Sequence, residues 1–231
     1  GRLDRFVDSK TFWDSPLGRL SEMAFSDVTA GTFQTLIQET AKLRDRQKAH
    51  GKRVQYLAYG YHGTEILIGD SYRWQTYSPY LQGWAKKELE DIAKKERRNG
   101  VSAPVYNCPE ILTNSSNLFQ GVEVPLYPFV MSLLKEAPNH PRTKEVVKIC
   151  QELLKPEFKV QDIARVTETY FNSELMRPWF QLESWPQQSE KAQMEVMLET
   201  SSQLIAMHKD EKATMTLELS RDIFEATGFC L

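Results

Sequence analysis

Residues 53–77 read RVQYLAYGYHGTEILIGDSYRWQTY, and they differ in kind from the rest of the chain. Leu57, Tyr59 and Tyr61 alternate with Ala58 and Gly60, which is the period of a strand with one covered face. His62-Gly63 reads as a tight turn and residues 64–68 as the return strand. Gly69-Asp70 reads as a second turn before a third strand over residues 72–77. Five of the nine tyrosines lie in this stretch. The prediction is a small antiparallel β-hairpin or meander near residues 54–77. A lone hairpin is marginal in water, so the small sheet has to lean on helices.

The flanks supply those helices. Ser15-Pro16 is a hydroxyl N-cap followed by proline at the first helical position, and Leu17, Leu20, Met23 and Ala24 then share one face. A helix over residues 31–50 carries Phe33, Leu36, Ile37, Ala41 and Leu43 as its expected buried stripe, with basic last turns and Gly51 as its stop. Ser78-Pro79 opens another helix, striped by Leu81, Trp84, Ala85, Leu89 and Ile92 and ending near Gly100. Lys86, Lys87, Lys94, Lys95, Arg97 and Arg98 surround that stripe. Residues 101–123 are rich in turn formers and read as a loop or joint. From residue 124 onward apolar residues recur at helical spacing, with prolines at 141, 156, 178 and 186 as punctuation. The fold class is therefore mainly α, an irregular helical bundle carrying one small β element. Residues 1–105 form a mildly basic helix–hairpin–helix unit and residues 106–231 an acidic helical bundle, together expected to make one continuous globular domain.

Charge follows the same division. The first 105 residues hold 17 Lys and Arg against 13 Asp and Glu, and the remainder 12 against 18. No apolar run is long enough to span a bilayer and no signal peptide opens the chain. Residue 1 is glycine rather than methionine, which fits a piece of something longer. Cys108, Cys150 and Cys230 are odd in number and far apart, so they read as free thiols in a reducing, intracellular compartment. The expected localisation is cytoplasmic.

Enzymatic signatures are missing. There is no GxSxG, no phosphate-cradling glycine loop with lysine, no HExxH and no dinucleotide fingerprint, so no cofactor is expected. His50, His62, His140 and His208 lie in separate segments, and no ligand set has zinc-like spacing, so no metal is expected. No family resemblance is read from the residues.

The constellation that stands out is basic and aromatic. Arg44, Arg46, Lys48, Lys52 and Arg53 precede the hairpin, Tyr59, Tyr61, Arg73 and Trp74 lie in it, and Lys94 follows on the next helix. Cations neutralise phosphates and aromatic faces stack on unpaired bases. The interleaved acids and a pI near 6.2 argue against a dedicated nucleic-acid domain. Trp179, Phe180 and Trp185 lie beside proline breaks and are candidate protein-interface residues. These readings lead to a non-catalytic interaction or scaffolding module with a protein partner or self-association. Single-stranded nucleic-acid binding is the alternative, and an enzyme of unrecognised class comes third.

Overall fold

A computed structural model of the chain describes residues 10–60, 65–74, 81–109, 111–112, 121, 123–180, 183–187 and 190–230. The fold is mainly α with short strands, as expected. Helices α1 (Lys10–Trp13) and α2 (Pro16–Ser26) lead through a π-helical turn, Asp27–Gly31, into α3 (Thr32–Glu39) and α4 (Ala41–Ala49). The strands β1 (Ala58–Gly60), β2 (Glu65–Ile68) and β3 (Ser71–Trp74) come next, followed by α5 (Leu81–Arg98) and β4 (Val105–Asn107). The remaining elements are helical: α6 (Glu123–Glu136), α7 (Pro141–Leu153), α8 (Val160–Asn172), a 3-10 turn at Arg177–Phe180, α9 (Lys191–Ala206) and α10 (Leu217–Cys230). No helix among the described residues is long and apolar enough to cross a membrane.

The helix starts follow the local chemistry of the chain. The Ser15 hydroxyl accepts from the Gly18 amide at 3.1 Å, with Pro16 where a donor is not needed. His140 caps α7 in the same way, its Nδ1 accepting from the Arg142 amide ahead of Pro141. Asp162 reaches back from the first turn of α8 to the Lys159 amide at 2.9 Å.

The strands pair differently from the expectation. β2 and β3 form the antiparallel hairpin around Gly69-Asp70, Glu65 opposite Trp74 and Ile68 opposite Ser71. β1 does not join it. It pairs in parallel with β4, Ala58 opposite Val105 and Gly60 opposite Asn107. The expected meander is thus two separate two-stranded sheets, and the turn assigned to His62-Gly63 lies outside the described residues. Parallel neighbours need a long crossover, and here it contains the hairpin and α5. β4 lies within the stretch expected to be a loop.

The described apolar residues form two clusters. Phe33 and Ile37 of α3 pack with Tyr56, Leu89 of α5, Val101 and Ala103, so α3 and α5 cover one face of the β1–β4 pair. The larger cluster centres on α6, with Tyr127, Val130 and Leu133 packed among Ile149, Ile163, Phe171, Leu204, Leu219 and Ile223. Ser132 ties the hairpin to this helix: its hydroxyl donates to the Pro128 carbonyl at 3.0 Å and accepts from the Leu67 amide at 2.7 Å. Trp179 and Phe180 are buried, the Phe180 ring 4.7 Å from Phe171, so they fill the junction after α8 rather than present a surface. Trp185 is half-buried with its ring 4.7 Å from Trp13.

One polar pair sits inside the larger cluster. His208 and Tyr127 are both fully buried. The carbonyl of Leu204 can only accept, so His208 Nδ1 carries the proton (2.8 Å) and Nε2 accepts from the Tyr127 hydroxyl at 2.8 Å. Burial holds the imidazole pKa below its ordinary value. A histidine whose folded pKa is depressed binds fewer protons folded than unfolded, so its contribution to stability is complete above the unfolded pKa, near 6.5, and is lost as pH falls below it. Tm is therefore expected to fall as pH drops below about 6.5. In His208→Gln, which keeps an acceptor and a donor but does not titrate, that part of the slope disappears. An unchanged slope in the variant would refute the assignment.

Candidate active site at the carboxyl edge of the parallel pair

β1 and β4 end side by side at Gly60 and Asn107, and the Cys108 amide continues the ladder by donating to the Gly60 carbonyl at 3.3 Å. In open sheets with parallel strands, this carboxyl edge is where ligands are held. α5 runs across it and presents Lys86 and Glu90, one helical turn apart. Glu90 is buried and accepts from Asn107 Nδ2 at 2.8 Å. That bond turns Asn107 Oδ1 toward Gly60, where it is buried with no hydrogen-bond partner among the described residues. A Cβ on residue 60 would stand 2.0 Å from Oδ1 and 2.8 Å from Val105 Cγ1, so only glycine permits this closure.

The electrostatics of the edge are unusual. Burial lowers the pKa of Lys86, opposed by the Cys108 thiol. Burial raises Cys108, opposed by Lys86. Glu90 is raised by burial against the pull of the Asn107 hydrogen bond and Lys94, with Asp91 adding to the rise. On the other face of β4, burial also raises Tyr106, helped by Cys108. The Tyr106 hydroxyl donates to the Phe224 carbonyl of α10 at 3.1 Å, and its ring meets Tyr59 and Phe224 edge-on. An amine, a thiol, a carboxyl and a phenol, all displaced from their ordinary values at the end of one strand pair, mark a candidate site for proton and charge chemistry. The other displaced groups, Tyr127, Cys150 and His208, belong to the closed core. No group of three or more metal-ligating side chains gathers among the described residues.

The basic and aromatic residues singled out from the sequence do not converge here. Arg44 turns inward: its Nη1 donates to the Ile37 carbonyl at 3.1 Å and the Tyr56 hydroxyl at 3.3 Å, with the guanidinium 5.9 Å from the Tyr56 ring centre. Arg46 and Lys48 are exposed on α4, Lys52 and Arg53 are exposed just beyond it, and Lys94 is exposed one turn past Glu90 on α5. Arg73 is half-buried in β3, and Trp74 closes that strand. Tyr59 is exposed on β1, and Tyr61 lies outside the described residues. The site residues that the sequence reading missed are Glu90, Asn107 and Cys108, with Lys86 noted there only as surface charge. Their signal was the order strand, helix, strand over residues 58–60, 81–98 and 105–107.

The family model for enoyl-acyl carrier protein reductase FabMG matches residues 1–231. The chain is similar to a solved structure described as the apo structure of FabMG, a novel type of enoyl-acyl carrier protein reductase, at 39% identity and a TM-score of 0.75. That match covers 96% of this chain and 49% of that one. It is also similar to the NADH-bound structure of FabMG, at 37% identity and a TM-score of 0.64, over 97% of this chain and 55% of that one. The chain thus spans about half the length of the solved relatives it matches. No curated protein matches it. These findings overturn the expectation of a non-catalytic interaction or scaffolding module, and with it the nucleic-acid alternative, because the matching family and both solved structures are reductases by name. The expectation that the chain is not an enzyme is corrected on the same ground.

Proposed function

The chain belongs to the enoyl-acyl carrier protein reductase FabMG family, and from that premise we propose that residues 1–231 carry the proton- and charge-handling part of an NADH-dependent reductase site. The substrate class is an α,β-unsaturated acyl thioester on acyl carrier protein. The observation that carries this reading is the gathering of Lys86, Glu90, Asn107 and Cys108 where β1 and β4 end.

NADH, when bound, supplies the hydride that adds to the β-carbon of the double bond. Addition there moves negative charge onto the thioester oxygen and leaves the α-carbon in need of a proton. Lys86 is a cation partly removed from water, so its charge acts on a developing oxyanion with less screening than a solvated lysine would. Its lowered pKa also makes it a readier proton donor. Glu90 and Asn107 hold one another and fix the strand end against α5. Cytoplasmic placement goes with this reading and with three free cysteines.

The test is loss of NADH absorbance on addition of an enoyl thioester, in a protein that joins residues 1–231 to the rest of the family length. Substrate-dependent consumption of NADH is expected; consumption no faster than without enoyl thioester would refute the reading. The pH profile adds a second prediction. Because Lys86 loses its proton earlier than an ordinary lysine, the alkaline limb of kcat/KM should begin below the usual lysine range. In Lys86→Arg that limb should move to higher pH. A limb that does not move would assign it to another group.

A further inference from the structure

The seam between α7 and α10 holds a group of side chains that the candidate site does not use. The two helices pack against each other. Arg142 of α7 ties them, 3.5 Å from buried Asp222 and paired with Glu225 as well. Where α10 ends, Cys230 Sγ lies 3.3 Å from Nδ1 of His140, the residue that caps the amino end of α7. The Arg142 amide donates to the same Nδ1 at 3.3 Å. A backbone N–H can only donate, so Nδ1 carries a lone pair and the Cys230 thiol is the donor to it. Thr143, fully buried in the first turn of α7, directs its hydroxyl at the same sulfur from 3.9 Å.

Each of these groups favours the sulfur as an anion. The imidazole lone pair takes the thiol proton, and the imidazolium so formed stands beside the thiolate. The Thr143 hydroxyl, shielded from water, donates to it. The sulfur also lies at the amino end of a 13-residue helix, the positive end of its dipole. Burial acts the other way on the other two thiols: Cys150 is fully buried with its pKa pushed up to about 12, and Cys108 is raised against the pull of Lys86. Cys230 is half-buried, so a small reagent reaches it.

We propose that Cys230 is a modification site with His140 as its base, and that the pair takes up a low-molecular-weight disulfide to give a mixed disulfide. The thiol proton passes to His140 Nδ1. The thiolate attacks one sulfur of the reagent, so that a bond to Cys230 Sγ forms as the reagent's own S–S bond breaks. The cysteine is oxidised, and the half of the reagent that leaves is reduced and takes the proton. The inference rests on this seam and not on the reductase reading.

The test treats the family-length chain with oxidised glutathione at neutral pH and follows the mass of each cysteine peptide with time. Cys230 should react at least about tenfold faster in the folded protein than in the same chain unfolded in denaturant, where it is an ordinary thiol. His140→Asn keeps a side chain that caps α7 but supplies no base, and should slow the reaction by about tenfold. Thr143→Val keeps the shape and removes the donor, and should slow it by about threefold. A Cys230 that reacts no faster folded than unfolded would overturn the proposal. So would an unchanged rate in His140→Asn. The comparison of folded with unfolded protein needs no variant, so it stands even where a substitution disturbs the seam. None of these readouts depends on turnover, so a reductase assay that fails leaves them intact.

Discussion

Lys86→Ala is expected to lower kcat/KM by roughly 10²- to 10⁴-fold, the range set by removing one positioned proton donor or charge stabiliser. The loss should fall mostly on kcat. Lys86 is assigned to charge that exists only as the hydride adds, and an interaction made only in the transition state does not change ground-state binding. NADH affinity should therefore stay within a factor of about three of the parent. Tm should not fall, because burial disfavours this ammonium in the folded protein. Lys86→Arg should restore part of the rate, since charge is kept but the compact ammonium is replaced by a planar fork. Steady-state kinetics on the family-length chain check all of this. A kcat/KM within about threefold of the parent would remove Lys86 from the chemistry.

Gly60→Ala has the second large effect, and it acts through packing. The new methyl would sit 2.0 Å from Asn107 Oδ1 and 2.8 Å from Val105 Cγ1. A free amide would swing aside at little cost. This one is held: Asn107 Nδ2 donates to buried Glu90 at 2.8 Å, so moving it strips that hydrogen bond from a carboxyl already pushed toward its neutral form. Overpacking and a lost buried hydrogen bond together cost about 2–4 kcal/mol. For a chain of this size that is a fall in Tm of roughly 5–15 °C. Activity should fall with it, because α5 and Lys86 are positioned by the same contact. The double variant Gly60→Ala/Asn107→Ala removes the closer of the two clashes, that with Asn107 Oδ1, so its Tm should lie above the value obtained by adding the two single effects. Strict additivity would mean that Asn107 yields freely and that Gly60 is not required at the strand end.

The helices were largely legible in the sequence because their ends carry local chemistry. Ser15-Pro16, His140-Pro141 and Gly100 act within a turn of themselves, and each marks an end where it was expected. Strand partners are not local in this sense. Alternation in residues 57–60 marks a strand but not its neighbour, and the nearest candidate in sequence, β2, was not the partner in space. β4 was hidden because Pro104 and Asn107 look like turn residues, whereas the parallel ladder uses the Pro104 carbonyl and needs no amide there. The face of α2 failed in the opposite way. Periodicity identified Leu17, Leu20 and Met23 as one stripe correctly, but a stripe states only which residues share a face, and here that face is exposed.

The candidate site was harder to see for a related reason. Arg44 and Lys86 look alike in a list of basic residues. Folding sends the first onto Tyr56 and the Ile37 carbonyl, and strips water from the second beside Cys108. Displaced pKa values arise from burial created across the fold, as when packing strips water from Glu90 against the opposing pull of its Asn107 hydrogen bond. No spacing rule covers a helix residue that meets the end of the following strand.

Cys108 lies at the edge itself, while Cys150 is buried in the core and Cys230 closes α10 beside His140. That makes the three thiols an internal comparison. The most direct measurement is the alkylation rate of each cysteine, resolved by mass spectrometry at mildly alkaline pH, in the family-length chain with and without NADH. If the carboxyl edge of β1 and β4 is where the reductase works, NADH slows labelling of Cys108 and leaves Cys230 unchanged. Labelling of Cys108 at the same rate in both conditions, with NADH demonstrably bound, would place the site elsewhere.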